Sequence, residues 1–319
     1  MLSARRRRIC LTKERIIQWY NKLSHPIFEH LISKDVKIKE DVKLSALTPI
    51  RIGGNAKAVV YPKSIRELIY TVGSFLKEGI EFRVVGRMSN LLPPDGMFGG
   101  AVIKTDNICF ANFDNNRLRV GAGVSLPYLA RLALGASLSG LEELHGIPAS
   151  VGGALYGNAG AFGREIAELV EEVEILDLDC LHSQAVRAGD IEFGYRSSSL
   201  KTRNWIILSA LFRLAPADTA GIVSRTAEYA SIRKRTQPTL PSLGSTFKRI
   251  KGKSAAGLID ASGLKGYCIG GAEISRVHAG FIVNAGCATA ADYRALADYA
   301  RDTVYKRFGV TLENEVEYL

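Results

Sequence analysis

The chain has few cysteines for its length, and no two of them lie close together. Cys10, Cys109, Cys180, Cys268 and Cys287 are five of 319 residues. An odd, scattered set excludes a disulfide framework and the paired spacing of a zinc site, so we expect reduced thiols and no bound metal. No apolar run approaches the roughly 18 residues that span a bilayer, and no secretory segment opens the chain. We therefore expect a cytoplasmic protein without membrane insertion.

Two common nucleotide-binding signatures are also absent. There is no GxGxxG sequence that opens a helix after a strand and no GxxxxGK(S/T) loop, which argues against a Rossmann dehydrogenase and a P-loop enzyme. The net charge is +10, and part of the excess is the run Arg5–Arg8. This mild bias suits an anionic small substrate. Without CxxC pairs or an RNP-like aromatic strand, we expect no nucleic-acid partner. The sequence does not indicate an oligomeric state.

The order of patterns along the chain predicts two lobes and a further domain. Residues 1 to about 40 mix Arg and Lys with isolated apolar residues, which indicates one amphipathic helix at the periphery. A strand at 58–61, a helix at 64–76 capped by Ser64 and a strand at 82–85 then form a β-α-β unit. After Pro216 a long helical pattern begins. The predicted divisions are a basic extension (1–40), a two-lobed domain (41–216, with lobes of about 41–105 and 106–216) and a C-terminal domain (217–319).

Later elements are predicted from the same periodicities. We expect helices at 126–134, 219–234 and 290–308 and one starting at Ala255. The expected strands are at 118–120, 173–176, 205–209, 246–247, 280–283 and near Val316.

The most informative segment lies between Gly140 and Gly163, which holds seven glycines in 24 residues. Glycine permits positive φ and close approach of a ligand, and free backbone N–H groups suit a pyrophosphate or another anion. The alternative is a glycine-dense Ω-type connection without a ligand. His145 beside it is expected to pack. The candidate binding residues of this segment are Gly146, Ile147, Pro148, Ser150, Val151, Gly152, Gly153, Asn158 and Gly160.

A second candidate loop follows the strand that ends at Val85. Its backbone and hydroxyl and amide side chains could hold a phosphate, although an ordinary Asn/Ser turn is an equal alternative. Its residues are Gly86, Arg87, Met88, Ser89, Asn90 and Leu91.

Three single residues carry chemistry only in combination. Arg196 offers a fixed cationic fork for a carboxylate or an enolate, with a surface ion pair as its alternative. Ser245 follows Gly244 and would alone be a turn serine. Glu315 lies among charges near the C-terminus and by itself indicates nothing.

Taken in order, these segments resemble the family of UDP-N-acetylenolpyruvoylglucosamine reductases, also called UDP-N-acetylmuramate dehydrogenases. The resemblance covers about residues 45–319, and although one block would be weak, the ordered set is highly specific. The blocks are TPIRIGG (48–54), GRMSNLL (86–92), GIPASVGGA (146–154), NAG (158–160), FGYR (193–196), GS (244–245), LKG (264–266), GGA (270–272), HAGFIVN (278–284), RFG (307–309) and EV (315–316).

The resemblance implies an α+β protein, with a two-lobed FAD-binding domain of the vanillyl-alcohol-oxidase (PCMH) type and a C-terminal α/β substrate domain. It implies FAD as cofactor and NADPH as co-substrate. After NADP⁺ leaves, the enolpyruvyl ether of a UDP-sugar would enter the same cleft. The product would be UDP-N-acetylmuramate, a peptidoglycan precursor. Because few residues separate Arg196 from Ser245 and the chain ends soon after Glu315, the resemblance is to the shorter class, which lacks an inserted substrate-clamping loop.

The resemblance also implies roles for single residues. Arg196 and Glu315 would stabilise the enolic species, and a fixed guanidinium needs little reorganisation as charge develops. An ionised Glu315 would oppose an enolate, so we expect it to be protonated or hydrogen-bonded through a partner at the key step. Ser245 would protonate the carbanion carbon. The two glycine-containing segments would contact the cofactor. The expected substrate contacts are Tyr195, Lys248 and Arg249.

The chain departs from the family pattern at a few positions. Met88 replaces a small residue, Gly157 stands where Met is common, and Arg249-Ile250 stand where Asn-Pro is frequent. Two other functions stay open: another flavoprotein oxidase or dehydrogenase on the same fold, and a nucleotide-binding regulatory or scaffold protein without turnover. The combination of Arg196, Ser245 and Glu315 argues against the first of these.

Overall fold

The computed structural model describes residues 26–250 and 252–319. The predicted N-terminal helix, around residues 16–23, lies outside them. Within the described part, no helix has both the length and the apolar character needed to cross a membrane. The first lobe contains α1 (Pro26–Ser33), β1 (Lys37–Lys43), β2 (Asn55–Tyr61), α2 (Ile65–Glu78), β3 (Phe82–Val85), β4 (Leu91–Leu92) and β5 (Phe98–Lys104).

A four-stranded sheet carries the first lobe. Its order is β1-β2-β5-β3, with β5 parallel to both β2 and β3 and with β1 antiparallel to β2. The predicted β-α-β unit is present, because α2 connects β2 to β3. As predicted, Ser64 caps α2: its hydroxyl accepts a hydrogen bond from the Glu67 N–H at 3.2 Å. The helix presents Leu68, Val72 and Phe75 to the core.

The described end of the N-terminal extension packs on the first lobe. β1 runs through residue 40, the predicted boundary, and pairs with β2 along its length. α1 buries Phe28 and Leu31, and the Phe28 ring meets Phe75 edge-on at a centroid distance of 5.9 Å. Residues 26–40 therefore pack on the first lobe, because two apolar residues at helical spacing give α1 a buried face. The peripheral position expected for the helix around residues 16–23 stays a prediction.

The second lobe is built on a five-stranded antiparallel sheet, in the order β12-β11-β15-β7-β6. Leu118, Val173 and Phe212 are fully buried in its core. Its elements are β6 (Ala111–Asp114), β7 (Arg117–Gly121), α3 (Leu126–Gly135), β8 (Leu138–Ser139), α4 (Val151–Tyr156), β9 (Gly160–Ala161), β10 (Arg164–Glu165), β11 (Val170–Asp177), β12 (His182–Arg187), β13 (Phe193–Gly194), β14 (Ser197–Ser198), β15 (Trp205–Arg213) and β16 (Ala215–Pro216).

The C-terminal part packs a small antiparallel sheet, in the order β17-β18-β19, against a long helix. Its elements are α5 (Thr219–Thr236), α6 (Ala255–Ala261), β17 (Cys268–Ile269), β18 (Ala272–Ile274), β19 (Ile282–Asn284), α7 (Ala290–Phe308) and β20 (Glu317–Tyr318). The strand predicted at 246–247 is not a strand: Phe247 makes a single bridge with Asn314, because the chain continues into a loop on both sides.

The end of the chain returns to the first lobe. β20 pairs in parallel with β4, and the Glu317 N–H donates to the Asn90 carbonyl at 3.0 Å. Asp95 makes a second connection, since its carboxylate accepts hydrogen bonds from the N–H groups of Ala290 (2.6 Å) and Ala291 (2.9 Å) at the start of α7. The two domains therefore meet beside the predicted Gly86–Leu91 loop.

Candidate active site

The loop from Gly86 to Leu91 leaves four consecutive backbone donors free. No described residue accepts a hydrogen bond from the N–H groups of residues 87–90. Met88, which departs from the family pattern, is buried and has φ 54°. The loop therefore passes through the left-handed region at this residue. Successive free N–H groups in such a turn form a concave anion site.

A buried lysine holds the start of this loop. Lys104, at the end of β5, donates from Nζ to the Gly86 carbonyl at 2.6 Å and lies 3.1 Å from Asp106. Burial lowers the pKa of its ammonium group. Lys104 was not predicted from the sequence, although a lysine that ends the apolar run Ala101–Ile103 is a signal, since lysine is seldom buried without a partner.

The second glycine-containing segment lies against the first. A Cβ on Gly86 would stand 1.9 Å from the Ser150 hydroxyl, so only glycine lets the two loops meet. Ser150 also caps α4 through the Gly153 N–H at 3.3 Å. The N–H groups of Val151 and Gly152 are occupied by the carbonyls of Val124 and Ala122 and cannot hold a phosphate. They fix the segment on the second lobe.

The two loops fit the diphosphate of a dinucleotide cofactor. Free N–H groups line one loop, and the contact with Ser150 sets the other beside it. Gly146, Ile147 and Pro148 continue from the second loop toward α5. The Ile147 N–H donates to the Leu144 carbonyl at 3.0 Å, and the cofactor contacts predicted for Gly146, Ile147 and Pro148 stay a prediction.

Asn158 and Gly160 form hydrogen bonds with the neighbouring β13–β14 hairpin. The Asn158 side chain is fully buried and donates to Glu165 (2.7 Å) and to the Gly194 carbonyl (2.9 Å). The Gly160 carbonyl accepts a hydrogen bond from Nη2 of Arg196 at 2.9 Å. In the described structure these polar groups therefore position the segment that carries Arg196.

Arg196 and Glu315 form a close ion pair although they are 119 residues apart. Nε of Arg196 donates to Oε1 of Glu315 at 2.5 Å, with side-chain exposures of 24% and 15%. Arg196 lies between β13 and β14 and adopts φ 52°, an uncommon conformation for a non-glycine residue. Among the described residues, nothing accepts a hydrogen bond from its Nη1, which stays available to a substrate.

Glu315 is tied to both domains. Its N–H donates to the Thr246 carbonyl at 2.9 Å, and its own carbonyl accepts from the Asn90 side chain at 2.9 Å. Asn90 therefore links the first loop to Glu315. Burial raises the pKa of Glu315 above its ordinary value, although Arg196 favours the charged form. Arg196 is its hydrogen-bonding partner here, and its state at the key step stays a prediction.

Ser245 lies on the segment that meets Glu315. It is half-buried between Gly244, at φ 80°, and the buried Thr246. Thr246 is anchored through its N–H to the Gly280 carbonyl at 2.8 Å. No described residue makes a hydrogen bond to the Ser245 hydroxyl, so its proton is not engaged within the protein.

The three expected substrate contacts also converge. The Tyr195 hydroxyl accepts from the Arg249 N–H at 3.1 Å, and the Arg196 guanidinium lies 5.2 Å from the centre of the Tyr195 ring. The Lys248 side chain pairs with Glu313. Segments that were predicted separately from the sequence thus meet where the two lobes and the C-terminal part come together.

Comparison with known proteins finds close relatives over most of the chain. The family model for "UDP-N-acetylenolpyruvoylglucosamine reductase, C-terminal domain" matches residues 236–319, and the model for "FAD binding domain" matches residues 56–180. The chain is 41% identical over 296 residues to the UDP-N-acetylenolpyruvoylglucosamine reductase of Caldicellulosiruptor saccharolyticus, covering 92% of this chain and 95% of that protein. The protein of the same name from Listeria welshimeri is 40% identical over 285 residues, covering 89% of this chain and 96% of its own.

A solved structure is similar along almost its whole length. The crystal structure of UDP-N-acetylenolpyruvylglucosamine reductase from Thermus caldophilus matches with a TM-score of 0.77 at 35% sequence identity. The match covers 89% of this chain and 99% of that chain.

Proposed function

This chain belongs to the UDP-N-acetylenolpyruvoylglucosamine reductase family, and we propose that the cleft holding Arg196, Ser245 and Glu315 is its catalytic site. The chain is an FAD-dependent oxidoreductase that uses NADPH and acts in peptidoglycan precursor synthesis. The predicted fold class is confirmed, with an FAD-binding domain followed by the C-terminal domain of this family. The two alternative functions are therefore set aside.

FAD fits between the two glycine-containing loops. The free N–H groups of residues 87–90 would hold its diphosphate, while Lys104 keeps the loop in shape through the Gly86 carbonyl. When bound, FAD supplies hydride chemistry, accepting hydride from NADPH and giving it to the enolpyruvyl alkene of the UDP-sugar. Side chains of this cleft would bind the substrate, stabilise the charge that develops on it and supply the proton.

Arg196 would stabilise the charge that develops on the substrate. Its Nε and Nη2 are held by Glu315 and the Gly160 carbonyl, so the guanidinium is fixed before the substrate arrives. The free Nη1 would donate to the substrate carboxylate, and a preorganised donor of this kind lowers the barrier most where charge appears. Glu315 would act mainly by fixing Arg196.

Ser245 would donate the proton that completes the reduction. Its hydroxyl is free of other described partners, and the segment that carries it is bonded to Glu315. An enolate is basic enough to take a hydroxyl proton at hydrogen-bond distance. The neighbouring Lys248 and Arg249 would stabilise the alkoxide that results, and Tyr195 holds Arg249 in place.

We also propose the domain division at residues 216–217 and the assignment to the shorter class. Separate buried clusters support the division: one is drawn from residues 118–214, and another mainly from residues 243–316. Ile50, Ile52 and Leu92 of the first lobe join the second cluster and form the contact between the domains.

The single observation that carries the proposal is the 2.5 Å contact between Arg196 and Glu315 beside the Ser245 segment. Its test follows the visible flavin band of the purified protein through each half-reaction. NADPH should bleach the band and the enolpyruvyl UDP-sugar should restore it. In Arg196→Met, bleaching should persist while restoration slows by about 100-fold or more.

Arg203→Met is the matched control, because Arg203 is a surface cation that lies over the Trp205 ring. It should leave both half-reactions unchanged. A colourless protein that does not take up added FAD, or an Arg196→Met variant with an intact second half-reaction, would contradict the proposal.

A further inference from the structure

Arg233, near the end of α5, lies flat against the glycine-rich segment. A Cβ on Gly146 would stand 2.4 Å from Cδ and 2.5 Å from Nε of Arg233, so a larger residue at this position would displace the Arg233 side chain. On its other side, the guanidinium carbon lies 5.3 Å from the centre of the Phe162 ring, and Phe162 stacks on Tyr229 at 4.6 Å. Backbone and aromatic rings therefore clamp the guanidinium in one orientation.

The charge of Arg233 has no acidic partner among the described residues. Its Nε is buried without a hydrogen bond, and Nη1 makes a long contact of 3.4 Å with the Gln237 side chain. Arg225 in the same helix is different, because it pairs with the buried Glu142 at 2.7 Å. A partly buried cation without compensation is costly, and an anionic ligand is the usual compensation.

Arg233 also contacts the hairpin that holds Arg196. Phe162 is in the turn of the β9–β10 hairpin, and the Gly160 carbonyl of the same hairpin holds Arg196. The β9–β10 hairpin thus contacts both guanidinium groups: that of Arg233 through the Phe162 ring and that of Arg196 through the Gly160 carbonyl. The free N–H groups of residues 87–90 belong to the other glycine-containing loop, which meets this segment at Ser150.

We propose that Arg233 binds a phosphate group of the molecules that enter the cleft, and this inference rests on the proposed function. The shared chemistry is a phosphate ester, present as the diphosphate of the UDP-sugar and as the phosphates of NADPH. A guanidinium presents paired donors that match phosphate oxygens, and Arg233 is oriented before the ligand arrives. A phosphate contact in the cleft thereby falls to Arg233, a residue that was not predicted from the sequence.

The test measures binding without turnover. Perturbation of the oxidised flavin spectrum gives Kd values for UDP-N-acetylmuramate, NADP⁺ and NAD⁺ in the wild type, Arg233→Met, Arg233→Gln and the control Arg235→Met, which removes an exposed cation in the same helix turn. Arg233→Met should raise the Kd of UDP-N-acetylmuramate, NADP⁺ or both by about tenfold or more. Its flavin content should equal that of the wild type, and Arg235→Met should bind as the wild type does.

The pattern of losses identifies the phosphate. A loss for UDP-N-acetylmuramate alone assigns the sugar diphosphate, a loss for NADP⁺ but not NAD⁺ assigns the 2′-phosphate, and equal losses for both dinucleotides assign their diphosphate. Unchanged Kd values, or loss of flavin with unchanged Kd values, overturn the inference. If Arg233→Met does not fold, Arg233→Gln decides, because it keeps a polar side chain and removes the charge: a raised Kd supports the inference and an unchanged Kd overturns it. Failure of the wild type to bind UDP-N-acetylmuramate would instead contradict the proposed function.

Discussion

Arg196 combines a rigid position with a free donor. Two of its three nitrogens are engaged within the protein, by Glu315 and by the Gly160 carbonyl, while Nη1 faces no acceptor among the described residues. A lysine could not reproduce this arrangement, since its single ammonium group on a flexible stem cannot be fixed at two points while presenting a third. The positive φ of Arg196 is the kind of backbone strain that functional sites retain.

Ser245→Ala should separate the two half-reactions. Loss of the proton donor should leave flavin reduction by NADPH nearly intact and slow flavin reoxidation by the enolpyruvyl UDP-sugar by about 100-fold or more. Stopped-flow absorbance of each half-reaction measures both rates. Ser242→Ala, in the same segment, should change neither rate, and equal losses in both half-reactions of Ser245→Ala would remove Ser245 from the acid role.

Glu315 should make the stability of the protein depend on pH. Its pKa is raised by burial in the folded state, so the stability that its protonated form contributes is present below the ordinary glutamate pKa and is lost as pH rises through the raised value. Glu315→Gln cannot ionise, and its free energy of unfolding should therefore increase relative to that of the wild type over this pH range. Chemical denaturation at a series of pH values measures the difference. A constant difference, or one with the opposite slope, would show that the ion pair with Arg196 outweighs burial.

At the scale of elements, the cofactor site depends on two loops that touch through a glycine. The ideal Cβ position at Gly86 overlaps the Ser150 hydroxyl, and Ser150 in turn begins α4. Gly86→Ala should therefore push the loops apart, reduce the bound flavin and cost about 1–3 kcal/mol of stability. Flavin content and thermal unfolding measure both effects.

The pair Gly86→Ala with Ser150→Gly provides the decisive comparison. Removing the Ser150 side chain eliminates the overlap, and glycine at a helix N-cap costs only a few tenths of a kcal/mol, so flavin binding should return. Gly96→Ala is the control, because a Cβ there meets nothing within 4 Å. If the double variant binds no more flavin than Gly86→Ala, the contact is not the cause of the loss.

Elements with strong local signals were predictable, and those that depend on distant pairing were not. α7 agrees with its predicted bounds because Thr289 and Asp292 form a capping box and Gly309 ends the helix at φ 66°. β20 and β4 are two residues each, too short to show periodicity, and their pairing follows only from the fold. The contact between Arg196 and Glu315 is likewise invisible to local patterns, and the family resemblance alone brought the two residues together. Lys104 and Arg233 were not predicted because each contacts a backbone segment that is distant in sequence: Lys104 bonds to the Gly86 carbonyl, and Arg233 lies against Gly146.

At the scale of the whole molecule, the catalytic groups come from both domains. Arg196 belongs to the second lobe, while Ser245 and Glu315 belong to the C-terminal part. The connections between the domains therefore determine how these groups face one another. The β4–β20 pairing and the contact of Asp95 with the start of α7 are two such connections, and both lie close to the Gly86–Leu91 loop.

Asp95→Ala tests whether the connection between the domains sets the geometry of the cleft. Losing the acceptor for Ala290 and Ala291 should cost about 1–2 kcal/mol of stability, as the loss of a helix N-cap does. Asp218→Ala is the matched control, because Asp218 caps α5 through the Gly221 N–H at 2.8 Å within a single element. Both variants should lose similar stability in thermal unfolding. Only Asp95→Ala should also lower kcat/KM for flavin reoxidation, because only it loosens Ser245 and Glu315 relative to Arg196; equal rates in the two variants would show that the connection supports the fold alone.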